Sequence, residues 1–261
     1  MVLAAGRGER MRPLTDTCPK PLLQVGGKPL LQWHLQVLAH ADVNRVVINT
    51  AWLGEQIAQF FGNVFMPEPN QIKGDALHKK QHLPIVYSHE GRDFGDALET
   101  AGGICRALPQ IFPAGVQPLA DVFWLVAGDV YAPDFEFSSV ALARFAGSTA
   151  LAHLWLVSNP AHNPRGDFGL DAATGLALNL PADDPRPRLT YSTIGLYRRT
   201  LFESPWCDIP CGNPHGVKLA LAPLLRTAMD QGRVTAERYD DRWTDVGTPQ
   251  RLAELNGSVA S

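Results

Sequence analysis

Four charged residues, Arg10, Lys20, Asp129 and Asp245, stand where a polyphosphate and a divalent cation could be held together. The first two belong to the stretch Val2-Leu3-Ala4-Ala5-Gly6-Arg7-Gly8-Glu9-Arg10-Met11-Arg12-Pro13-Leu14-Thr15, which continues to Pro19-Lys20-Pro21-Leu22. It reads as a short apolar strand running into a glycine-containing loop. Gly6 and Gly8 remove side chains where the backbone turns sharply or approaches a ligand, and their amides can then point at anionic oxygens. Arg10 offers a planar fork of donors and Lys20 a compact charge, a combination suited to a triphosphate. Asp129 directly follows the apolar run Val122–Ala127, at the strand end where open α/β sheets place ligands. Asp245, in Trp243-Thr244-Asp245-Val246-Gly247-Thr248, falls between an extended segment and a helix start. Two such carboxylates could hold a Mg²⁺ that also binds phosphate oxygens. An Asp in either place also serves as a turn residue or helix cap.

The elements that must position these residues alternate between apolar runs and helical patterns, which predicts an α/β fold with a predominantly parallel sheet covered on both faces. Val2–Ala5 is the first strand. Pro29 opens a helix in which Leu30, Leu31, His34, Leu35 and Leu38 share a face, and Arg45–Asn49 is the next strand, completing a βαβ unit. Gly54–Phe61 reads as a helix, Pro84–Ser88 as a strand, Glu99–Leu108 as containing a short helix, and Val122–Ala127 and Thr149–Val157 as buried strands. Shorter strands are expected near Phe168–Asp171, Leu176–Leu180 and Ser192–Arg198, then a helix Lys218–Asp230 and a strand Val234–Tyr239. Thr248-Pro249 has the form of an N-cap followed by Pro at the first helical position. Residues 62–82 carry Pro67, Pro69, Asn70 and Gly74 without periodicity and are expected to be a mobile insertion in a single domain spanning 1–261.

Taken together, L-A-A-G-x-G-x-R-x-x-P-L-T, P-K-P-L, G-D after a central strand and W-x-D-x-G-T resemble, in the same order, the signature of the sugar-1-phosphate nucleotidyltransferases. The resemblance implies a Rossmann-like three-layer fold with a mostly parallel mixed central sheet, and Mg²⁺ as cofactor. It implies that Arg10 and Lys20 contact the phosphates, that Asp129 and Asp245 hold the metal, and that Leu3, Ala4, Ala5, Gly6 and Gly8 line the nucleotide site. Within the family, Leu98-Glu99-Thr100-Ala101-Gly102-Gly103-Ile104, Asn159-Pro160-x-His162 with Arg165-Gly166-Asp167-Phe168, and Lys218-Leu219-Ala220 through Pro223-Leu224-Leu225-Arg226 are similar to the branch that joins UTP to N-acetylmuramate-1-phosphate in cell-wall recycling. By that likeness Thr100, Gly102 and Gly103 face the base, while Gly166 and Asp167 face the sugar. The alternative for the glycines is a helix start packed closely through them. Guanylyl transfer to mannose-1-phosphate and thymidylyl or uridylyl transfer to glucose-1-phosphate are the neighbouring activities, and a non-catalytic binding subunit is the alternative of another class. The family's E-K-P segment, whose Lys holds the sugar phosphate in thymidylyl- and glucose-type relatives, has no counterpart. Leu180-Pro181-Ala182-Asp183-Asp184-Pro185-Arg186-Pro187-Arg188 stands there instead, with Arg186 and Arg188 as substitutes or as solvated loop charges.

Composition narrows the partners. At 261 residues with 45% hydrophobic content the chain can bury one substantial core. A formal charge of −3 gives no basic footprint for nucleic acid, whereas small phosphorylated substrates, a nucleoside triphosphate and a sugar-1-phosphate, need only a local positive cluster. Neither a dinucleotide fingerprint nor a Walker loop is present in the sequence. No leader pattern or bilayer-length apolar run is found, so a cytoplasmic protein without membrane partners is expected. Four cysteines, Cys18, Cys105, Cys207 and Cys211, are too scattered for a disulfide framework, and Cys207-x-x-x-Cys211-x-x-x-His215 reads as an ordinary loop. The oligomeric state is not legible.

Overall fold

The computed structural model describes residues 1–41, 43–68, 82–115 and 121–259. Most of the expected mobile insertion, residues 69–81, lies outside the described residues; of its flanks, Val64–Phe65 forms a short strand. The chain has the expected α/β character with a mixed sheet, and its contacts cluster into two compact units.

The first unit comprises Met1–Ala97, Gly128–Ser139 and Thr244–Ser261. Its strands Val2–Ala4, Val46–Thr50 and Leu83–His89 pair in parallel, with Val2 opposite Ile48 and Val46 opposite Ile85. Val64–Phe65 closes one edge antiparallel. Every residue of Val46–Thr50 is buried, the apolar Val46–Ile48 as expected of a strand covered on both faces and the polar Asn49 and Thr50 with hydrogen-bond partners. The helix Leu30–His40 buries Leu30, Leu31, His34, Leu35 and Leu38, the expected face. Pro29 precedes the helix as its cap, because it is held in a small hairpin with Gln24. Each fully buried leucine of that face contributes roughly 1.5–3 kcal/mol. A further ribbon pairs Val130–Tyr131 with Thr244–Asp245.

The second unit comprises Leu98–Ala127 and Val140–Trp243. Its strands run in the order Phe168–Asp171, Leu176–Leu178, Val234–Arg238, Ala152–Val157, Arg188–Arg198, Val122–Ala127, and only the pair Val234–Arg238 with Ala152–Val157 is parallel. The parallel pairing read from the alternation of strands and helices therefore belongs chiefly to the first unit. Hairpin-like returns bring antiparallel strands into the second.

Two local features depart from the helical patterns in the sequence. The helix Glu99–Ile111 continues through Pro109. Proline has no N–H to give the carbonyl four residues back. Here the amide of Gly212 bonds the Cys105 carbonyl at 2.9 Å, so the acceptor left over by Pro109 is satisfied from another segment. The helix expected from Lys218 begins only at Leu221. The preceding backbone is already engaged: Leu219 N–H donates to Leu98, and the Leu219 carbonyl accepts from Ala101 and Gly102.

A charged cluster in this unit sets an acid limit on stability. The His153 ring, 3.6 Å away, and the Arg144 guanidinium, at 2.9 Å, hold the Glu237 carboxyl down at about 2, below its ordinary 4.5. A depressed carboxyl contributes stability that is present above its unfolded value and is lost as pH falls through the folded one. The melting temperature is therefore expected to fall less steeply between pH 4.5 and about 2 in Glu237→Gln than in the wild type. Identical slopes would show that the cluster adds no pH-dependent stability.

Candidate active site

The phosphate-loop residues are folded by three short 3-10 turns, Glu9–Met11, Leu14–Asp16 and Lys20–Leu22. Gly8 adopts φ +67°, and a Cβ there would press on Thr15 Cγ2 at 3.1 Å and Lys20 Cβ at 3.3 Å, so both backbone conformation and space require glycine. Its carbonyl accepts from the Met11 amide at 2.9 Å and from the Thr15 hydroxyl at 2.8 Å, which closes the loop on itself. Gly6 differs. It is exposed, and a Cβ there would meet nothing within 4 Å, so the absent side chain leaves open space beside the strand end. Leu3 is half-buried, while Ala4 and Ala5 are buried below it.

Lys20 is buried, only 9% exposed, and its Nζ donates to Asp129 Oδ2. Arg10 is exposed, with no hydrogen-bond or ion-pair partner among the described residues. One predicted phosphate cation is thus pinned within the site and the other reaches into solvent.

The two predicted metal carboxylates lie on hydrogen-bonded neighbouring segments. Asp245 stands opposite Val130 in the ribbon, and the Val246 amide donates to the Asp129 carbonyl at 2.9 Å. The ribbon is fixed from several sides. His34 Nε2 bonds the Val130 carbonyl at 2.7 Å, and the Gly128 amide donates to Leu3 at 2.8 Å. Tyr131 and Val246 are buried with Met11, Leu23, Val25 and Leu30, which ties the phosphate loop to the same core. Asp245 Oδ1 accepts from Arg251 Nη1 at 2.6 Å. The helix that carries Arg251 starts at Pro249, with Thr248 Oγ1 accepting from the Arg251 amide at 3.3 Å, as the N-cap reading predicts.

The donor set suits Mg²⁺: hard carboxylate oxygens from two hydrogen-bonded neighbouring segments, few enough to leave positions for phosphate oxygens and water. The described residues contain no cluster of three or more metal-ligating side chains, so such an ion would depend on substrate oxygens for the rest of its shell.

The residues expected to face base and sugar belong to the second unit. Thr100 is half-buried in the first turn of Glu99–Ile111, and Gly102 and Gly103 are buried. A Cβ on Gly102 would lie 2.5 Å from the Val217 carbonyl. The Asn213 side chain, itself fully buried, bonds the Gly102 carbonyl at 3.0 Å and both backbone groups of Val217 at 2.9 Å. Gly102 is therefore packed closely against the Val217 backbone. Gly102→Ala is expected to destabilise the nucleotide-free protein by about 1–3 kcal/mol, as overpacking does. An unchanged melting temperature would contradict this.

Gly166 has φ +63°, and a Cβ on it would lie 2.7 Å from Asn159 Oδ1. Asp167 accepts from the Tyr191 amide at 2.8 Å and from Asn163 Nδ2 at 3.1 Å, so its carboxylate organises this loop. Arg186 is exposed and held bidentate by Asp184, and Arg188 is turned onto the carbonyls of Leu180 and Pro181.

Several residues around the phosphate loop escaped the sequence reading. Trp52 donates its indole N–H to the Thr15 carbonyl at 2.8 Å, and the Arg7 guanidinium lies 3.6 Å from the centre of its ring. Asn49 accepts from the Ala4 amide at 2.9 Å and donates to the fully buried Glu90 at 2.7 Å. The available signal was a polar Asn closing the apolar strand Val46–Thr50, where only a paired side chain is tolerated.

Comparison with known proteins bears on the family and the fold. Residues 1–130 match the family model of the MobA-like NTP transferase domain. The chain is 43% identical, over 97% of its own length and 95% of the relative's, to N-acetylmuramate alpha-1-phosphate uridylyltransferase of Neisseria meningitidis serogroup B. It is 29% identical to the protein of the same name from Caulobacter vibrioides, over 100% of this chain and 96% of that one. Among solved structures, a putative glucose-1-phosphate thymidylyltransferase from Bacillus anthracis superposes with a TM-score of 0.69 over 99% of this chain and 93% of that one, at 19% identity, which shows a shared fold.

Proposed function

We propose that this chain, which belongs to the sugar-1-phosphate nucleotidyltransferases, transfers a uridylyl group from UTP to N-acetylmuramate-1-phosphate, giving UDP-N-acetylmuramate and pyrophosphate. The observation that carries the reading is the 43% identity along nearly the whole of both chains to a relative bearing that activity in its name. The pairing of Lys20 with Asp129, on a segment hydrogen-bonded to that of Asp245, supports it.

In this reading a phosphate oxygen of the sugar-1-phosphate attacks the α-phosphorus of UTP, and the bond from that phosphorus to the α,β-bridging oxygen breaks, the electron pair leaving with pyrophosphate. The nucleophile is already anionic at neutral pH, so the chain supplies no general base. Its work is in-line positioning and neutralisation of charge. Lys20, desolvated and held by the loop, stabilises charge at the α-phosphate. Arg10, exposed and able to swing, draws charge from the leaving pyrophosphate. Gly6 leaves the strand end open to the nucleotide. Asp129 and Asp245 would hold Mg²⁺, which as a Lewis acid withdraws charge from phosphoryl oxygens when bound. In this reading the substrates are small and phosphorylated, and the cytoplasm is the proposed place of the reaction. No helix among the described residues is long and apolar enough to cross a membrane.

The test is pyrophosphate release with Mg²⁺, pairing UTP, dTTP, GTP and CTP with N-acetylmuramate-, N-acetylglucosamine-, glucose- and mannose-1-phosphate. Preference for UTP with N-acetylmuramate-1-phosphate is expected. Another preferred pair would keep the mechanism and change the substrates, and silence across the panel would favour a binding subunit.

A further inference from the structure

Each carboxylate assigned to the metal already carries a cation supplied by the chain: Lys20 on Asp129 and Arg251 on Asp245. Lys20 has a task of its own in the phosphate loop. Arg251 belongs to none of the motifs on which the resemblance rests, yet it is built into place. Its Nη1 bonds both Asp245 Oδ1 at 2.6 Å and the Asp245 carbonyl at 3.1 Å, and its Nε reaches Thr248 Oγ1 at 3.4 Å. The side chains of Arg251 and Asp245 are only 16% and 25% exposed.

Two further observations show that the pairing is specific. A Cβ on Gly247 would lie 2.3 Å from Arg251 Nη2 and 3.0 Å from Cζ. Gly247 does not adopt a positive φ, so its backbone conformation does not call for glycine, and a methyl there would displace the flexible guanidinium that lies across it. Arg251 also sits in the first turn of its helix, the end at which the helix dipole disfavours a cation. Its charge is therefore compensated by Asp245 and not by the helix.

We propose that Arg251 is a resident counter-ion of Asp245 that keeps the free enzyme from capturing a bare divalent cation, so that metal enters the site together with the nucleotide. The inference rests on the assignment of Asp129 and Asp245 to Mg²⁺. With both cations in place, the two carboxylates present almost no net charge to an incoming ion, and Arg251 already occupies oxygens the ion would need. A metal–nucleotide complex brings anionic oxygens to which Arg251 and Lys20 can transfer their hydrogen bonds, so displacing them costs less than it does for the ion alone.

The test is binding of Mn²⁺ to the nucleotide-free protein, read from the electron paramagnetic resonance signal of the unbound ion, which requires no turnover. Arg251→Met keeps most of the side-chain length without the charge and is expected to bind Mn²⁺ about tenfold tighter than the wild type. Arg251→Lys is expected to bind as weakly as the wild type. Gly247→Ala, whose methyl would push the guanidinium off Asp245, is expected to shift affinity in the same direction as Arg251→Met and carries the test if that variant does not fold. The gain is expected to vanish in Arg251→Met/Asp245→Asn. No gain in folded Arg251→Met or Gly247→Ala would overturn the counter-ion role, leaving the metal assignment to the Mg²⁺ dependence of turnover in Asp129→Asn. A gain that survives Asp245→Asn would overturn both the role of Arg251 and the assignment of Asp245.

Discussion

Lys20→Ala is expected to lower kcat by about a hundred- to a thousandfold, the range seen when one preorganised donor to a developing charge is removed. The geometry explains why so large an effect should come without unfolding. Lys20 is buried, but its partner Asp129 is 37% exposed, so the substitution leaves behind a carboxylate that water can reach. The loop is held by other contacts: the Gly8 carbonyl with Met11 and Thr15, and the Trp52 indole with Thr15. A melting temperature near that of the wild type should therefore accompany the loss of turnover. Lys20→Arg should not restore full activity, because a planar fork does not replace a compact charge at a buried position. Wild-type turnover in a folded Lys20→Ala protein would remove Lys20 from the mechanism.

Asp129→Asn is expected to be comparably severe. The substitution keeps an acceptor for Lys20, and the backbone bond from Val246 to the residue 129 carbonyl is unaffected, so the ribbon should persist. What disappears is the negative charge. Charge withdrawal by a bound metal contributes several kcal/mol to such reactions, so turnover should fall by at least about a hundredfold. The Mg²⁺ concentration needed for half-maximal rate should rise as well. Titration of Mg²⁺ against turnover separates the two effects: an unchanged Mg²⁺ requirement in Asp129→Asn would move the metal elsewhere.

The local elements were legible because their determinants are local. The helices Leu30–His40 and Gly54–Phe61 follow from apolar spacing, and the buried strand Val122–Ala127 from an unbroken apolar run. Boundaries moved where a partner distant in sequence claimed the backbone. The segment before Leu221 is bound to Leu98–Gly102, and Pro109 is tolerated because Gly212 replaces its missing donor. No periodicity can announce such bonds.

The same division holds in the site. The sequence by itself determined the chemical inventory: a glycine loop with Arg10 and Lys20, and carboxylates at Asp129 and Asp245, in an order that resembles one family. Residue type and spacing suffice for this, because phosphate and metal binding demand particular groups on particular kinds of turn. Only the tertiary structure decided which charges meet. Lys20 and Asp129 are 109 positions apart and form one ion pair, Asn49 joins Ala4 to Glu90, and Arg251 lies over Gly247 onto Asp245. It also shows that Gly102 is closely packed, because a neighbour's carbonyl takes the place of its side chain. Ion pairing and close approach depend on distances of a few ångströms between segments far apart in the chain, and those distances exist only once the chain has folded.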